Sequence, residues 1–179
     1  TLLASSAASD VYKRQVQKRP RTFAMELNSS PEKCTCYQFS DFLCFNRYYG
    51  WYLLGGYEMQ DAEEAFRAEL DAWLAKGVDC PFVFTEYGCD NLQGEYKLPS
   101  VQWSAEYELE YLKIYERVFD SYDCIKGEQV WNFADFQTVE GIMRVNGNKK
   151  GIFTRQRQPK TAAYYFKNRW EKLPVDYKG

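Results

Sequence analysis

Apolar residues recur along this chain in two rhythms, and the two alternate. Short runs dominated by apolar positions, Thr22-Phe-Ala-Met-Glu-Leu27, Phe42-Leu-Cys-Phe-Asn-Arg-Tyr-Tyr49, Phe82-Val-Phe-Thr-Glu86 and Gln129-Val-Trp-Asn-Phe133, predict strands. Elsewhere the spacing lengthens to three and four. Ala62, Phe66, Leu70, Trp73 and Leu74 make one stripe, and Leu112, Tyr115, Val118, Phe119 and Tyr122 another, each the inward face of a helix. Asp61-Ala-Glu-Glu64 has the form of a capping box opening the first helix, which Gly77 stops, and Pro159 suits the first turn of a last helix reaching about Trp170. Strands apolar on both faces and separated by helices predict an α/β fold, a parallel sheet covered by helices, in about four strand-helix units. That is half of an eight-unit TIM barrel or a small open sheet, and both place chemistry at the C-terminal ends of their strands.

Glu86 is conspicuous on that pattern, because the most apolar strand ends on a carboxylate where a barrel exposes side chains to its pocket. With 179 residues, 45% hydrophobic and 18% aromatic, the chain can form one sizeable core. Its net charge of -2 supplies no basic field, so neither a nucleic-acid nor a membrane partner is expected. No apolar run approaches the ~20 residues of a bilayer span, and the first residues lack the n- and h-regions of a secretory signal. The expected location is cytoplasmic. The six cysteines include no CxxC pair and are expected as free thiols in a reducing compartment, and Asn28-Ser29-Ser30 carries little weight as a glycosylation triplet without a signal. The absence of histidine excludes a His-based triad and argues against a zinc site. Residues 1–15 show neither apolar period, and Asp10-Val-Tyr-Lys-Arg-Gln15 resembles the translation of a transposon end used in library preparation. They are set aside as a sequencing artefact or a disordered tail, leaving 16–179 as one domain.

Four stretches carry a resemblance, in this order: Cys44 to Tyr52 ("CFNRYYGWY"), Thr85 to Gly88 ("TEYG"), Gly127 to Phe136 ("GEQVWNFADF") and Arg144 to Ala163 ("RVNGNKKGIFTRQRQPKTAA"). Together they resemble the C-terminal catalytic region of the β-glucuronidases of glycoside hydrolase family two, over roughly Arg19 to Trp170. The resemblance implies the C-terminal half of a TIM (β/α)8 barrel and retaining, exo-acting hydrolysis of β-D-glucuronides, with a small-molecule or oligosaccharide glucuronide as partner. It implies that Glu86 is the catalytic nucleophile and that Asn46, Tyr48, Tyr52 and Trp131 lie about the sugar subsite. It further implies that Asn148 and Lys150 grip the glucuronate carboxylate, with Arg144 nearby. No metal or organic cofactor is implied, and the parent enzyme is expected to be a homo-oligomer.

A retaining enzyme needs a second carboxyl group as acid and base. The family supplies it from an Asn-Glu-Pro motif, which this sequence does not contain. Glu26, at the end of the first strand, is the most tempting substitute, but the resemblance aligns its strand after the one carrying the acid. Glu128 and Glu140 are expected to be structural or solvated. The segment Asn91 to Val101 also lacks a histidine that members often have there. The isolated chain is accordingly expected to be inactive. The alternatives are a β-galactosidase or β-galacturonidase of the same family, or a non-catalytic protein that binds sugar acids.

Overall fold

The computed structural model describes Val11 and residues 19–177, and in it four strands lie side by side in chain order, every neighbouring pair parallel: β1 (Ala24–Met25), β2 (Leu43–Asn46), β3 (Phe82–Glu86) and β4 (Ile125–Glu128). The 3-10 helix Cys36–Phe39 joins β1 to β2. Helix α1 (Met59–Ala75) joins β2 to β3, α2 (Ala105–Ser121) joins β3 to β4, and α3 (Thr161–Trp170) follows β4. Apart from Val11, residues 1–15 lie outside the described residues, so their reading as artefact or tail has no structural counterpart.

The helices bury most of the stripes that predicted them, with Leu74 exposed and Tyr122 partly buried just past the end of its helix. In α1, Ala62, Phe66, Leu70 and Trp73 are buried. The Phe66 ring packs on Phe84 of β3 (centroids 5.3 Å) and on Tyr115 of α2 (4.9 Å), and Trp73 packs on Phe45 of β2 (5.6 Å). The core therefore lies between the sheet and its helices, where burial of so many aromatics supplies most of the drive to fold. Helix α1 begins earlier than the capping-box pattern predicts: Met59 is its first residue and Glu58 its N-cap, with no side-chain cap bond. Asp61 sits instead in the first turn, where a carboxylate complements the helix dipole. Gly77, at φ +84, ends the helix in the left-handed region. Cys36, Cys44 and Cys89 are buried free thiols, and no described helix is long and apolar enough to cross a membrane.

The fourth strand lies one step before the apolar run that predicted it. Gln129–Phe133 is the segment leaving β4, whose own residues are Ile-Lys-Gly-Glu. Ile125 alone of these is buried, and Gly127 packs close on Val83, so the strand has almost no hydrophobic signature. The predicted residues still meet β3 through the backbone, Gln129 N–H donating to Phe84 O (2.7 Å) and Trp131 N–H to Tyr87 O (2.8 Å).

Two devices fix the C-terminal edge of the sheet. Arg47, 1% exposed and next after β2, donates to the carbonyls of Met25 (2.7 Å), Ser29 (3.0 Å) and Asn46 (3.0 Å) and forks onto Glu69 of α1 (2.7 to 2.9 Å). Helix α2 presents Tyr107, Tyr111 and Tyr115 at four-residue spacing on one face. Their hydroxyls bond to Gly50 O (2.7 Å), Gly88 N–H (3.0 Å) and Arg47 O (3.0 Å), pinning the chain just beyond β2 and β3.

Candidate active site

Glu86 closes β3 with its backbone in register with Asn46 of β2, and its carbonyl accepts the N–H of Arg47 at 2.9 Å. That lock carries Tyr48 over the carboxylate, to whose Oε2 the phenol donates at 2.7 Å. Burial, and after it the bond to Glu86, pushes the Tyr48 hydroxyl far above the usual phenol range. It therefore stays a proton donor to the Glu86 carboxylate. The Asn46 side chain, half-buried, accepts from Thr85 Oγ1 at 2.7 Å. Gly88 reaches φ +151, and a Cβ there would stand 2.3 Å from Trp131 O, so the chain leaving β3 and the chain leaving β4 touch backbone to backbone. This contact places Trp131 at the rim, 37% exposed, its ring 6.1 Å from that of Phe136.

Beyond Trp131 the chain crosses the edge again and brings three further predicted residues toward the tyrosines. Lys150 is 1% exposed, with its ammonium 4.7 Å from the Trp51 ring centroid, 4.8 Å from that of Tyr52 and 5.9 Å from that of Tyr48. Arg144 donates to the Tyr52 hydroxyl and stacks 5.8 Å from that ring. Asn148 is buried and turns its Oδ1 to the Lys150 N–H at 2.9 Å. The structure thus joins Glu86, Tyr48, Tyr52, Arg144, Asn148 and Lys150 in one chain of contacts, with Asn46 and Trp131 attached through the backbone.

Sequence reasoning missed one group. Asp90 is completely buried and holds Lys150 by an ion pair, takes the Lys149 N–H on Oδ1 at 2.8 Å, and lies 3.7 Å from Arg144. Lys160 supports the same loop from beneath, donating to Asn91 O (2.9 Å) and Lys149 O (2.7 Å) and pairing with Asp135 (3.0 Å). Neither pair has a local signal, since each partner is remote in sequence. Trp51 is buried and also faces the Lys150 cation. Of the other carboxylates weighed, Glu26 lies just beyond β1 bonded to Asn28 (2.9 Å), Glu128 pairs with Arg169 (3.0 Å), and Glu140 caps Asn146 N–H (3.0 Å). A cavity of about 920 Å³ beside the loop is lined by Trp103, Phe136, Ile142, Lys149 and Arg155 among others, and by none of the eight predicted residues.

With this geometry in hand, the comparisons are direct. Residues 6–175 match the model of the glycosyl hydrolases family 2, TIM barrel domain. The chain is 42% identical over 158 residues to a β-glucuronidase of Streptococcus agalactiae serotype V, covering 88% of this chain and 26% of that protein. To a β-glucuronidase of Paenibacillus borealis it is 43% identical over 165 residues, 92% and 27% of the two chains. The crystal structure of Ruminococcus gnavus β-glucuronidase superposes with a TM-score of 0.86 at 59% identity, over 95% of this chain and 29% of that one. The complex of the R. gnavus enzyme with D-glucuronic acid gives 0.85 at 58%, over 94% and 29%. The chain spans about a quarter of the length of the curated relatives it matches.

One buried group near the loop makes stability depend on pH. Glu108 of α2 accepts from Asn91 Nδ2 at 2.6 Å, and burial raises its carboxyl to about 7 against the pull of Lys160 and Asn91. A raised carboxyl favours folding while it is protonated. As pH climbs from the unfolded value of 4.5 through about 7, the unfolded chain loses its proton first and folding weakens, by on the order of 3 kcal/mol at the upper end. Glu108→Gln keeps an acceptor for Asn91 without the charge. In the full-length protein it should raise the melting temperature at pH 8 by several degrees and change it little at pH 4.5, measured by thermal unfolding at both.

Proposed function

The chain belongs to glycosyl hydrolase family 2, as part of that family's TIM-barrel domain, and from this membership we propose that it supplies the nucleophile half of the active site of a retaining, exo-acting β-glucuronidase. The observation that carries the proposal is the pairing of two features one tyrosine apart. A carboxylate is fixed at a strand end by the Tyr48 hydroxyl, and a buried ammonium, Lys150, stands against the same aromatic cluster. The relatives in S. agalactiae and P. borealis are β-glucuronidases, and the R. gnavus enzyme has been crystallised with D-glucuronic acid, which supports an acidic sugar as substrate.

In this mechanism Glu86 attacks the anomeric carbon, expelling the aglycone and forming a covalent glycosyl ester, and water then cleaves that ester with net retention. Tyr48 holds the carboxylate in line and stabilises its charge before attack. Trp131 lends an apolar face to the pyranose, and Asn46 sits at the neighbouring strand end for a sugar hydroxyl. Asn148 and Lys150 meet the C6 carboxylate with an amide and an ammonium, and Arg144 adds a second cation through Tyr52. The acid that protonates the leaving group comes from outside these residues, in line with the absence of Asn-Glu-Pro from the sequence.

Three measurements test this assignment. A slow glycosyl donor bearing an electron-withdrawing 2-substituent should leave an adduct on Glu86 of the full-length enzyme, identified by peptide mass spectrometry; an adduct elsewhere moves the nucleophile to that residue, and no adduct at all favours a binding protein. The isolated chain should show no turnover of an aryl glucuronide, since loss of the proton donor alone costs a factor of about 10² to 10⁴. Lys150→Ala in the full enzyme should cost on the order of 2 to 5 kcal/mol in transition-state binding of the glucuronide. The ratio of kcat/KM for glucuronide over glucoside should fall by roughly a hundredfold or more, which is about 2.7 kcal/mol. An unchanged ratio would mean that the sugar is wrongly named, and paired assays with galactosides and galacturonides would then identify it.

A further inference from the structure

Bond cleavage does not account for the carboxylate of Asp90. It lies four residues beyond Glu86, wholly buried, on a chain held tightly on either side: Gly88 N–H bonds to Tyr111 (3.0 Å) and Asn91 N–H to Lys149 O (3.1 Å). Its two oxygens serve different ends. Oδ1 takes the Lys149 N–H, which sets the path of the Asn148-Lys-Lys150 stretch, and Oδ2 pairs with the Lys150 ammonium within 3.7 Å of Arg144. An anion placed here repels the very carboxylate that the pocket is proposed to bind, so its presence needs a compensating gain. That gain is the seating of Lys150 before any substrate arrives. An ammonium this deeply buried without a counter-ion would leave for solvent, and each substrate would have to draw it back at the expense of affinity. Taken apart from Glu86, which lies beyond Tyr48 at the reacting end, the three groups Lys150, Arg144 and Asp90 leave one net positive charge, the complement of a single carboxylate.

We propose that Asp90 is a specificity-determining positioning residue, which seats Lys150 and Arg144 for the carboxylate of a hexuronide and leaves these three groups one net positive charge. The proposal rests on Lys150 being the group that meets the sugar carboxylate, and the test separates the two. In the full-length enzyme, Asp90→Asn, Lys150→Ala and the double variant are assayed with paired aryl glucuronide and glucoside, alongside melting temperatures. Asp90→Asn should lower the glucuronide-to-glucoside ratio of kcat/KM by about a hundredfold, expressed mainly in KM, as expected when a binding group is misplaced by about an ångström. Because Asp90 acts through Lys150, adding Asp90→Asn to Lys150→Ala should lower the ratio little further. A parallel loss for both substrates with a lower melting temperature would reduce Asp90 to a packing role, and a rise in the ratio would make it an opponent of the substrate; either overturns the proposal. If Lys150→Ala collapses the ratio while Asp90→Asn leaves it intact, Asp90 alone is misassigned. If Lys150→Ala leaves it intact, the carboxylate assignment falls first. Should Asp90→Asn fail to fold, Asp90→Glu keeps the charge and displaces it by one methylene. It should raise KM for the glucuronide about tenfold more than for the glucoside, and equal effects on both would overturn the proposal.

Discussion

The guanidinium of Arg47 is the joint on which the C-terminal edge of the sheet depends. A buried arginine is tolerable only when its donors are satisfied, and this one meets three carbonyls from the ends of β1 and β2 and a carboxylate from α1. It therefore ties two strand ends and the next helix at a single point. Its own N–H is held by Glu86 O, so the same residue sets the height of β2 against β3. Asn46 before it and Tyr48 after it then fall beside Glu86 with no freedom to slide. Removing the side chain would take the cation from Glu69, which would keep the Tyr49 (2.8 Å) and Trp73 (3.2 Å) donors, and would take a donor from each of the three carbonyls, loosening the joint that aims Tyr48 at Glu86.

The other half of the site is held differently. Residues 144–150 belong to no strand of the sheet, and they are placed by side chains reaching in from elsewhere: Asp90 from the β3 side, Lys160 from the start of α3, and Asp135 through Gly151 N–H (3.0 Å). Charge-assisted bonds in a buried setting are short and directional, which makes such a scaffold accurate, but each depends on its partner being present. Glu86 is thus fixed by the backbone ladder, whereas the 144–150 loop adds a network of charges to its backbone bonds with Phe136, Asn91 and Asn132.

This difference explains what could be read from the sequence. Strands β2 and β3 and the helices were legible because Phe45, Phe82, Phe84, Phe66 and Trp73 repeat at spacings that only burial against a sheet explains. Strand β4 was displaced because Lys126 and Gly127 replace the apolar residues that mark a strand, and the start of α1 because Asp61 is a first-turn carboxylate rather than a cap. Within the site, resemblance singled out both Tyr48 and Tyr52, while spacing could not say which touches Glu86; the register of β2 on β3 decides for Tyr48. Asp90 left no trace in the sequence pattern. Its partner Lys150 lies 60 residues away, and no periodicity connects a buried acid to a base on another loop.

The close backbone contact between Gly88 and Trp131 has a consequence for how such a protein can diversify. Because the chain leaving β3 meets the chain leaving β4 at main-chain atoms, the junction accepts no side chain and is silent to substitution at Trp131 itself. Exchange of the tryptophan changes the face presented at the rim, while the carbonyl beneath it goes on pressing against the same glycine. The rim can therefore drift by single steps while Glu86, at the end of β3, stays where it is.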